Sequence, residues 1–200
     1  MDVGANIGAL ALCASDVVGE SGRVYAIEAH PRTFRFLAEN VSLNHRRNIR
    51  CLNVAVGEHC GAVSMSDLDS DDQNHVLPEG RIQIELVPLD TLLDDLESVA
   101  LLKIDVEGYE LPVLRGGDRI LQRTRAVLFE IWENHTRNYG YEVSELLELL
   151  NNAGFKVFSV DIAERKLVRI PLRYRAAQCE NALALRDPRE FCSAMDFSIR

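Results

Sequence analysis

The first residues of the chain form a glycine-containing loop whose residue types could hold a nucleotide-like ligand. Asp2, Gly4, Asn6 and Gly8 follow the pattern D-x-G-x-N-x-G, and an apolar run compatible with a helix extends from Ala9 to Val17. Because Gly4 has no Cβ, the backbone can turn tightly there and pass close to a ligand, while Gly8 lets the helix begin close to a strand. Backbone N–H groups at such a helix start favour polar ligands. The pattern therefore predicts a ligand-binding loop.

A second polar residue, Glu28, ends a short apolar stretch over residues 23–27. In nucleotide-binding α/β folds, an acid about 20 residues after the glycine loop accepts hydrogen bonds from a ribose diol. The separation between Gly8 and Glu28 fits that role. The alternative interpretation is a solvated acid at a strand end that binds nothing.

Strands and helices alternate along the chain, and this order predicts how the polar residues are positioned. The apolar patterns predict strands at 23–28, 49–56, 81–87, 101–105, 126–131 and 155–160, and helices at 9–17, 31–41, 89–93, 111–121 and 141–153. Two more short strands are predicted at 166–170 and 182–185, one or two strands with a long loop within 58–80, and no regular element after Asp187. Such alternation indicates an α/β fold with a doubly wound, mainly parallel sheet.

Ligands of such sheets bind at the carboxyl ends of the strands. Those ends are predicted at Asp2–Gly8, Glu28, Val54–Glu58, Asp105–Gly108 and Glu130. The sequence therefore predicts one ligand site that all of these segments share.

The amino-acid composition limits which binding partners and which cellular compartments the sequence predicts. The 200 residues fit a single domain, and the net charge of -9 disfavours nucleic acid or an anionic membrane as a partner. Because the chain has no apolar run of about 20 residues and no signal-peptide pattern, a cytoplasmic protein is predicted. The five cysteines are odd in number and never spaced C-x-x-C, so neither a disulfide framework nor a zinc site is indicated.

Five segments in order resemble the FkbM family of methyltransferases. They are DVGANIG at 2–8, VYAIEAHP at 24–31, LKIDVEGYE at 102–110, LRGG at 114–117 and VLFEI at 127–131. The resemblance covers roughly residues 2–160, and KIDVEG followed by a helix is its most family-specific part. It implies a Rossmann-like methyltransferase fold, S-adenosylmethionine as cofactor, and methylation of a hydroxyl on a sugar or polyketide-like small molecule.

The resemblance also implies roles for individual residues toward the cofactor. Residues of the first loop would contact its methionine part, namely Gly4, Ala5, Asn6 and Gly8. Asp2 would reach the methionine amino group and Glu28 the ribose, while Ala55 and Val56 would help enclose the adenine. The segment that holds Ala55 and Val56 departs from the family because no acid ends it.

Asp105 and Glu107 would face the sulfonium of the cofactor and the acceptor. An aliphatic alcohol is a poor nucleophile near neutral pH, so a base within hydrogen-bond reach of its proton assists the reaction. Asp105 is the first choice for that base and Glu107 the second. His135 and His75 are further possibilities because imidazole titrates in the right range, although a structural role in a loop explains each of them as well.

Two other patterns invite functional interpretations. The acidic segment with Asp67, Asp69, Asp71 and Asp72 lacks the glycine and the distal glutamate of a calcium loop, so we predict a solvated loop and no metal site. Trp132, the only tryptophan, could line the acceptor pocket or simply pack.

Only Met1 precedes Asp2, whereas a buried parallel strand usually supplies about four to eight apolar residues. We therefore predict that most of the first strand is absent from this chain. Two alternative functions remain open. The missing strand suggests a truncated, non-catalytic methyltransferase remnant, and Gly4, Gly8 and Glu28 would also suit an NAD-dependent oxidoreductase. The oxidoreductase ranks last because it leaves the segment 103–109 unexplained.

Overall fold

The computed structural model describes residues 1–68 and 74–200. Within them the strands are β1 (Asp2–Val3), β2 (Val24–Ile27), β3 (Ile49–Leu52), β4 (Ala55–Val56), β5 (Gly61–Met65), β6 (Val76–Leu77), β7 (Ile82–Val87), β8 (Val99–Ile104), β9 (Thr124–Ile131), β10 (Lys156–Asp161), β11 (Lys166–Arg169), β12 (Glu180–Leu185) and β13 (Ser198–Ile199). The helices are α1 (Ala9–Val18), α2 (Pro31–Leu43), α3 (Leu89–Leu92), α4 (Glu110–Arg115), α5 (Asp118–Arg123), α6 (Glu133–Arg137), α7 (Val143–Asn152) and α8 (Pro188–Met195).

The larger sheet has the strand order β13-β11-β10-β12-β9-β8-β1-β2-β3. Five neighbouring strands of this sheet are parallel to one another, namely β9, β8, β1, β2 and β3. Strand β12 pairs antiparallel with both β9 and β10. The prediction of an α/β, mainly parallel, Rossmann-like sheet is confirmed. Strand β1 is the middle one of the five parallel strands and has only two residues, with Asp2 opposite Ala26 of β2 on one side and opposite Lys103 of β8 on the other.

Helices cover both faces of this sheet. Alternate residues of a strand point to opposite faces, and in β2 Ala26 packs in one apolar cluster with Leu37 of α2, whereas Ile27 belongs to a second, larger cluster. The larger cluster includes Leu114 of α4 and Leu147 of α7. The crossover helices therefore bury their apolar sides against the sheet from two directions, which leaves the strand ends as the open edge.

The predicted strand over 49–56 is wrong in one respect, because it is two strands in two sheets. Strand β3 belongs to the larger sheet and β4 to a small sheet with the order β4-β7-β5-β6. Asn53 lies at the break, where its Nδ2 donates hydrogen bonds to the carbonyl oxygens of Glu28 and Ala29 at 2.8 and 3.0 Å. The side-chain bonds replace the next step of the strand ladder, so the chain turns away from β2.

The predicted helix over 111–121 is likewise interrupted, at Gly116 and Gly117 between α4 and α5. A Cβ on Gly116 would collide with the carbonyl oxygen of Gly57, so the backbone of the small sheet passes directly against this turn. The helix stops because two backbones meet here, which apolar spacing alone does not reveal.

The expectation of no regular element after Asp187 is wrong, because α8 and β13 form there. Asp187 caps α8, and its Oδ1 accepts hydrogen bonds from the backbone N–H groups of Arg189 and Glu190 at 3.0 and 2.9 Å. Pro188 occupies the first helical position. An aspartate followed by proline is a helix-start signal that the sequence does contain.

None of the helices in the described part of the chain is long and apolar enough to cross a membrane.

Candidate functional site

A cavity of about 420 Å³ opens at the carboxyl ends of β1, β2 and β8. Most of the residues that the sequence assigned to the site line it, namely Asp2, Gly4, Ala5, Asn6, Glu28, Ala55, Val56, Asp105 and Glu107. Gly8 does not line it and instead begins α1 with φ 92°, where a Cβ would lie 2.6 Å from Leu37 Cδ1. The role of Gly8 in this structure is therefore close helix packing.

Three consecutive backbone N–H groups fasten the first loop to the end of β2. Those of Gly4 and Ala5 donate to the Ile27 carbonyl oxygen at 2.9 and 3.0 Å, and that of Asn6 donates to Glu28 Oε2 at 2.9 Å. These three donors are therefore engaged by protein, contrary to the expectation that the backbone N–H groups of the loop face a ligand. Gly4 has φ 75°, and a Cβ there would collide with the Asp105 carbonyl oxygen.

Glu28 is held in place by the backbone on both of its oxygens. Oε2 accepts from Asn6, and Oε1 accepts from the backbone N–H of His30 at 2.9 Å. Burial raises the pKa of Glu28, and the two backbone hydrogen bonds oppose that shift because they stabilise the carboxylate. Each carboxylate oxygen can accept a further hydrogen bond. Glu28 therefore presents a fixed acceptor to the cavity.

Lys103 is a buried cation at the centre of the site. Its Nζ donates to the Gly4 carbonyl oxygen at 2.7 Å and lies 3.1 Å from Asp2 Oδ1 and 3.5 Å from Asp105 Oδ2. Burial raises the pKa of Asp2, and the Lys103 ammonium opposes that shift. The Lys103 ammonium thus balances the negative charges of Asp2 and Asp105 beside β1. This pairing fits the general rule that lysines are rarely buried unless they are paired.

The segment after β8 is held in a strained shape by a buried acid, Glu110. Glu107 and Gly108 have φ of 56° and 96°. Glu110 Oε1 accepts from the backbone N–H groups of Val106 and Gly108 at 3.2 and 3.1 Å, while its Oε2 lies 3.2 Å from Tyr141 Oη. Burial raises the pKa of Glu110 to about 7. Glu110 therefore fixes where Glu107 points.

Glu107 comes together with Glu130 and His135, which lie more than 20 residues further along the chain. His135 Nδ1 is 3.3 Å from Glu107 Oε2 and 3.3 Å from Glu130 Oε1. The other oxygen of Glu130 accepts a hydrogen bond from Cys179 Sγ at 2.9 Å. Burial, followed by the bond to Glu130, raises the pKa of Cys179 to about 12, so Cys179 remains a thiol.

Trp132 packs beside this group. Its ring centroid lies 4.2 Å from that of His135, and Trp132 is not among the residues that line the cavity, so packing is the interpretation that the structure favours. Met65 and Val76 of the small sheet complete the cavity wall together with His75, which precedes β6. Asp67 lies 3.5 Å from His30 Nε2, whereas Asp69, Asp71 and Asp72 lie outside the described residues.

The fold and the cavity define a Rossmann-like domain that binds a nucleotide-type cofactor at its strand ends. Residues 2–157 match the model of the methyltransferase FkbM domain. The chain belongs to the FkbM methyltransferase family, as the sequence predicted. Its expected cofactor, S-adenosylmethionine, is confirmed with the family.

Two curated proteins and a solved structure illustrate the relationship. The hexuronic acid methyltransferase AglP of Haloferax volcanii is 30% identical over 156 residues, which cover 76% of this chain and 61% of AglP. Methyltransferase 1 of Beauveria bassiana is 26% identical over 144 residues, covering 59% of this chain and 57% of that protein. The crystal structure of methyltransferase FkbM from Methylobacillus flagellatus KT has a TM-score of 0.57 at 20% identity and covers 92% of this chain and 42% of that one. The chain thus spans about three fifths of the curated relatives.

Proposed function

We propose that this protein transfers a methyl group from S-adenosylmethionine to a hydroxyl of a small molecule of the sugar type. The observation that carries the proposal is the cavity at the ends of β1, β2 and β8, where the fixed carboxylate of Glu28 meets the first loop. The named activity of AglP, a hexuronic acid methyltransferase, supports a sugar acid as the acceptor. A polyketide-like hydroxyl compound is the second acceptor class.

The residues of the cavity fit the cofactor chemically. Glu28 retains acceptor capacity on both oxygens for the two ribose hydroxyls, and the buried Asp2 carboxylate offers a negative charge for the methionine amino group. Ala55 and Val56 are 4% and 5% exposed and provide an apolar wall for the adenine. The cofactor supplies an activated methyl group on its sulfonium, so the protein has mainly to position the acceptor.

Asp105 is our proposed base. Its side chain is 44% exposed and lines the cavity, so it can accept a proton from an acceptor hydroxyl. Bound S-adenosylmethionine would supply the methyl group to the acceptor oxygen, with the electron pair of the broken sulfur–methyl bond left on sulfur, and Asp105 would take the hydroxyl proton. Glu107 remains the second choice, and its contact with His135 ties it to another group.

Calorimetric titration of S-adenosylmethionine into the full chain tests the cofactor assignment, and transfer of labelled methyl groups tests the reaction. The acceptor panel contains hexuronic acids, neutral hexoses and a polyketide-like alcohol. We expect saturable cofactor binding and labelling of a hexuronic acid. Absence of cofactor binding would overturn the proposal, while binding without transfer to any member of the panel would favour the non-catalytic remnant.

Replacement of the base is the sharper test of mechanism. Asp105→Asn is expected to lower kcat by about 100-fold or more, as loss of a general base typically does, with little change in cofactor affinity. The exposed Asp95→Asn serves as the matched control and should behave like the natural protein. Normal turnover by Asp105→Asn would show that another group takes the proton.

A further inference from the structure

The Glu107, Glu130 and His135 side chains form a cluster of metal-ligand type, although the sequence pointed to no metal site. Each offers one ligand atom, and these atoms all lie within 4.8 Å of one another. They come from three separate places, namely the loop after β8, the end of β9 and helix α6. Only folding assembles the cluster, so no local motif marks it.

The spacing of the ligand atoms suits a small divalent cation. Neighbouring ligands about 2.1 Å from a metal ion are about 3 Å apart when the metal–ligand bonds are at right angles. The His135 nitrogen lies 3.3 Å from one oxygen of each carboxylate, which is close to that separation. Two carboxylates and one imidazole nitrogen suit Mn²⁺ and its first-row neighbours better than Ca²⁺, which prefers oxygen ligands alone.

The electrostatics of the cluster also favour a cation. Two carboxylates face one imidazole nitrogen, so two negative charges converge on a group that is neutral in its ligand form. The buried Nδ1 atom of His135 makes no hydrogen bond within the described part of the chain. A divalent ion would satisfy this atom and would also be attracted by both carboxylates.

Neighbouring groups already hold the ligands in position. Cys179 donates to one oxygen of Glu130, which leaves the other oxygen facing His135. Trp132 packs on the imidazole, and the close approach of Gly108 to the His135 backbone fixes the start of α6. Support of this kind around the ligands is typical of metal sites.

The cluster adjoins the cavity through Glu107, which lines it beside Asp105. The Glu107, Glu130 and His135 side chains are 29%, 14% and 24% exposed, so an ion can enter and keep open positions for further ligands. We propose that Glu107, Glu130 and His135 bind one divalent first-row cation, of the Mn²⁺ class, which coordinates an oxygen of the acceptor. The acceptor part of this inference rests on the proposed function; the metal site does not.

The test is a titration of Mn²⁺ alone into the chelator-stripped full chain, followed by the electron paramagnetic resonance signal of free Mn²⁺. We expect one saturable site, weakened about 10-fold or more in Glu130→Gln and in Glu107→Gln, as loss of a ligand requires. Glu133→Gln removes a carboxylate from the same helix as His135 and should leave the affinity within about threefold. Circular dichroism verifies that each variant is folded, and the partly exposed Glu107 provides the variant that least disturbs packing.

Two further measurements separate this inference from the proposed function. Cofactor affinity should be unchanged in Glu130→Gln, because Glu130 does not line the cavity, and methyl transfer should depend on added Mn²⁺. Metal binding without cofactor binding would uphold the metal site and overturn the proposed function. Cofactor binding and methyl transfer without saturable Mn²⁺ binding would overturn the metal site, and loss of activity in His135→Asn would then assign the cluster to proton transfer.

Discussion

The proposed cofactor side and the proposed acceptor side of the cavity are built in different ways. On the cofactor side, a continuous loop is fastened by consecutive backbone hydrogen bonds to the end of β2. On the proposed acceptor side, Glu107 lines the cavity and is joined through His135 to Glu130 and Cys179, which do not line it. Backbone geometry therefore defines one wall, and side-chain chemistry defines the other.

This difference implies that the two sides tolerate change differently. A wall formed by the backbone depends on a few glycines and on backbone hydrogen bonds, which most side-chain substitutions do not remove. Only a few positions in such a wall should therefore be sensitive to substitution. A wall built from side chains depends on the identity of each one. The following predictions test that contrast, from the largest expected effect to the smallest.

Gly4→Ala should have the largest effect, because its Cβ would meet the Asp105 backbone oxygen, which cannot move aside as a flexible side chain could. We expect cofactor affinity to fall by about 100-fold or more, beyond the roughly 1–2 kcal/mol that an alanine costs at positive φ. Gly140→Ala is the matched control, since Gly140 has φ 77° and open space around its Cβ position. Calorimetry and thermal unfolding of both variants make the comparison, and equal behaviour would contradict the clash.

Glu110→Gln tests the support beneath the acceptor side. The native acid keeps its proton up to about pH 7, whereas in the unfolded chain the pKa is near 4.5. The free energy of unfolding should therefore fall as pH rises from 4.5 to 7, by about 3 kcal/mol, and level off above that window. Glutamine can accept from Val106 and Gly108 and donate to Tyr141, so the variant should fold and lack this pH dependence.

Denaturant unfolding at a series of pH values measures the effect. Glu148→Gln, an exposed change on α7, should keep the natural pH profile. A profile in Glu110→Gln identical to that of the natural protein would mean that other groups cause the pH dependence.

Glu28→Gln probes the one side chain on which the cofactor wall depends. The amide would place N–H donors against the backbone N–H of either Asn6 or His30, and such an unsatisfied donor costs about 1–3 kcal/mol. We expect cofactor affinity to fall about 10-fold, with a lower melting temperature. Glu20→Gln, at an exposed site, is the control. Unchanged affinity would remove Glu28 from the cofactor contacts.

Tyr139→Phe should have the smallest effect and should act on the acceptor side alone. It removes the hydrogen bond from Tyr139 Oη to the Val76 carbonyl oxygen at 3.0 Å, and Val76 lines the cavity. We expect a stability loss of about 1 kcal/mol, a higher KM for the acceptor that the panel identifies, and unchanged cofactor affinity. Tyr174→Phe loses a comparable hydroxyl contact, with Glu180, outside the cavity. A change in cofactor affinity instead of acceptor KM would contradict the division into two sides.

The same contrast explains which parts of the site were predictable from the sequence. The glycine loop and Glu28 are local signals with a fixed separation, and most of the residues predicted from them line the cavity. The sequence did not reveal Lys103 as a site residue, because its burial depends on β1 lying between β2 and β8, which is a property of the whole sheet.

The acceptor side could not be predicted in the same way. His135 and Glu130 were recognised as separate residues, but their approach depends on the turn after β9 and on the close contact at Gly108. Alternation of apolar residues predicted the order of the elements, whereas the split between β3 and β4 depends on side-chain hydrogen bonds of Asn53. Spacing thus predicts which elements form, and tertiary contacts decide where they end.

The first and the last strand of the small sheet pair with each other, and this arrangement offers a route to altered acceptor choice. Val56 at the end of β4 pairs with Val87 at the end of β7, and the Gly57 N–H donates to the Val87 carbonyl oxygen at 3.4 Å. The segment between β4 and β7 therefore begins and ends at neighbouring points of the domain. It contributes Met65, His75 and Val76 to the cavity wall. A chimera could carry the corresponding segment of a relative in place of this one while the cofactor loop stays unchanged. The small sheet could then be exchanged to alter substrate selection.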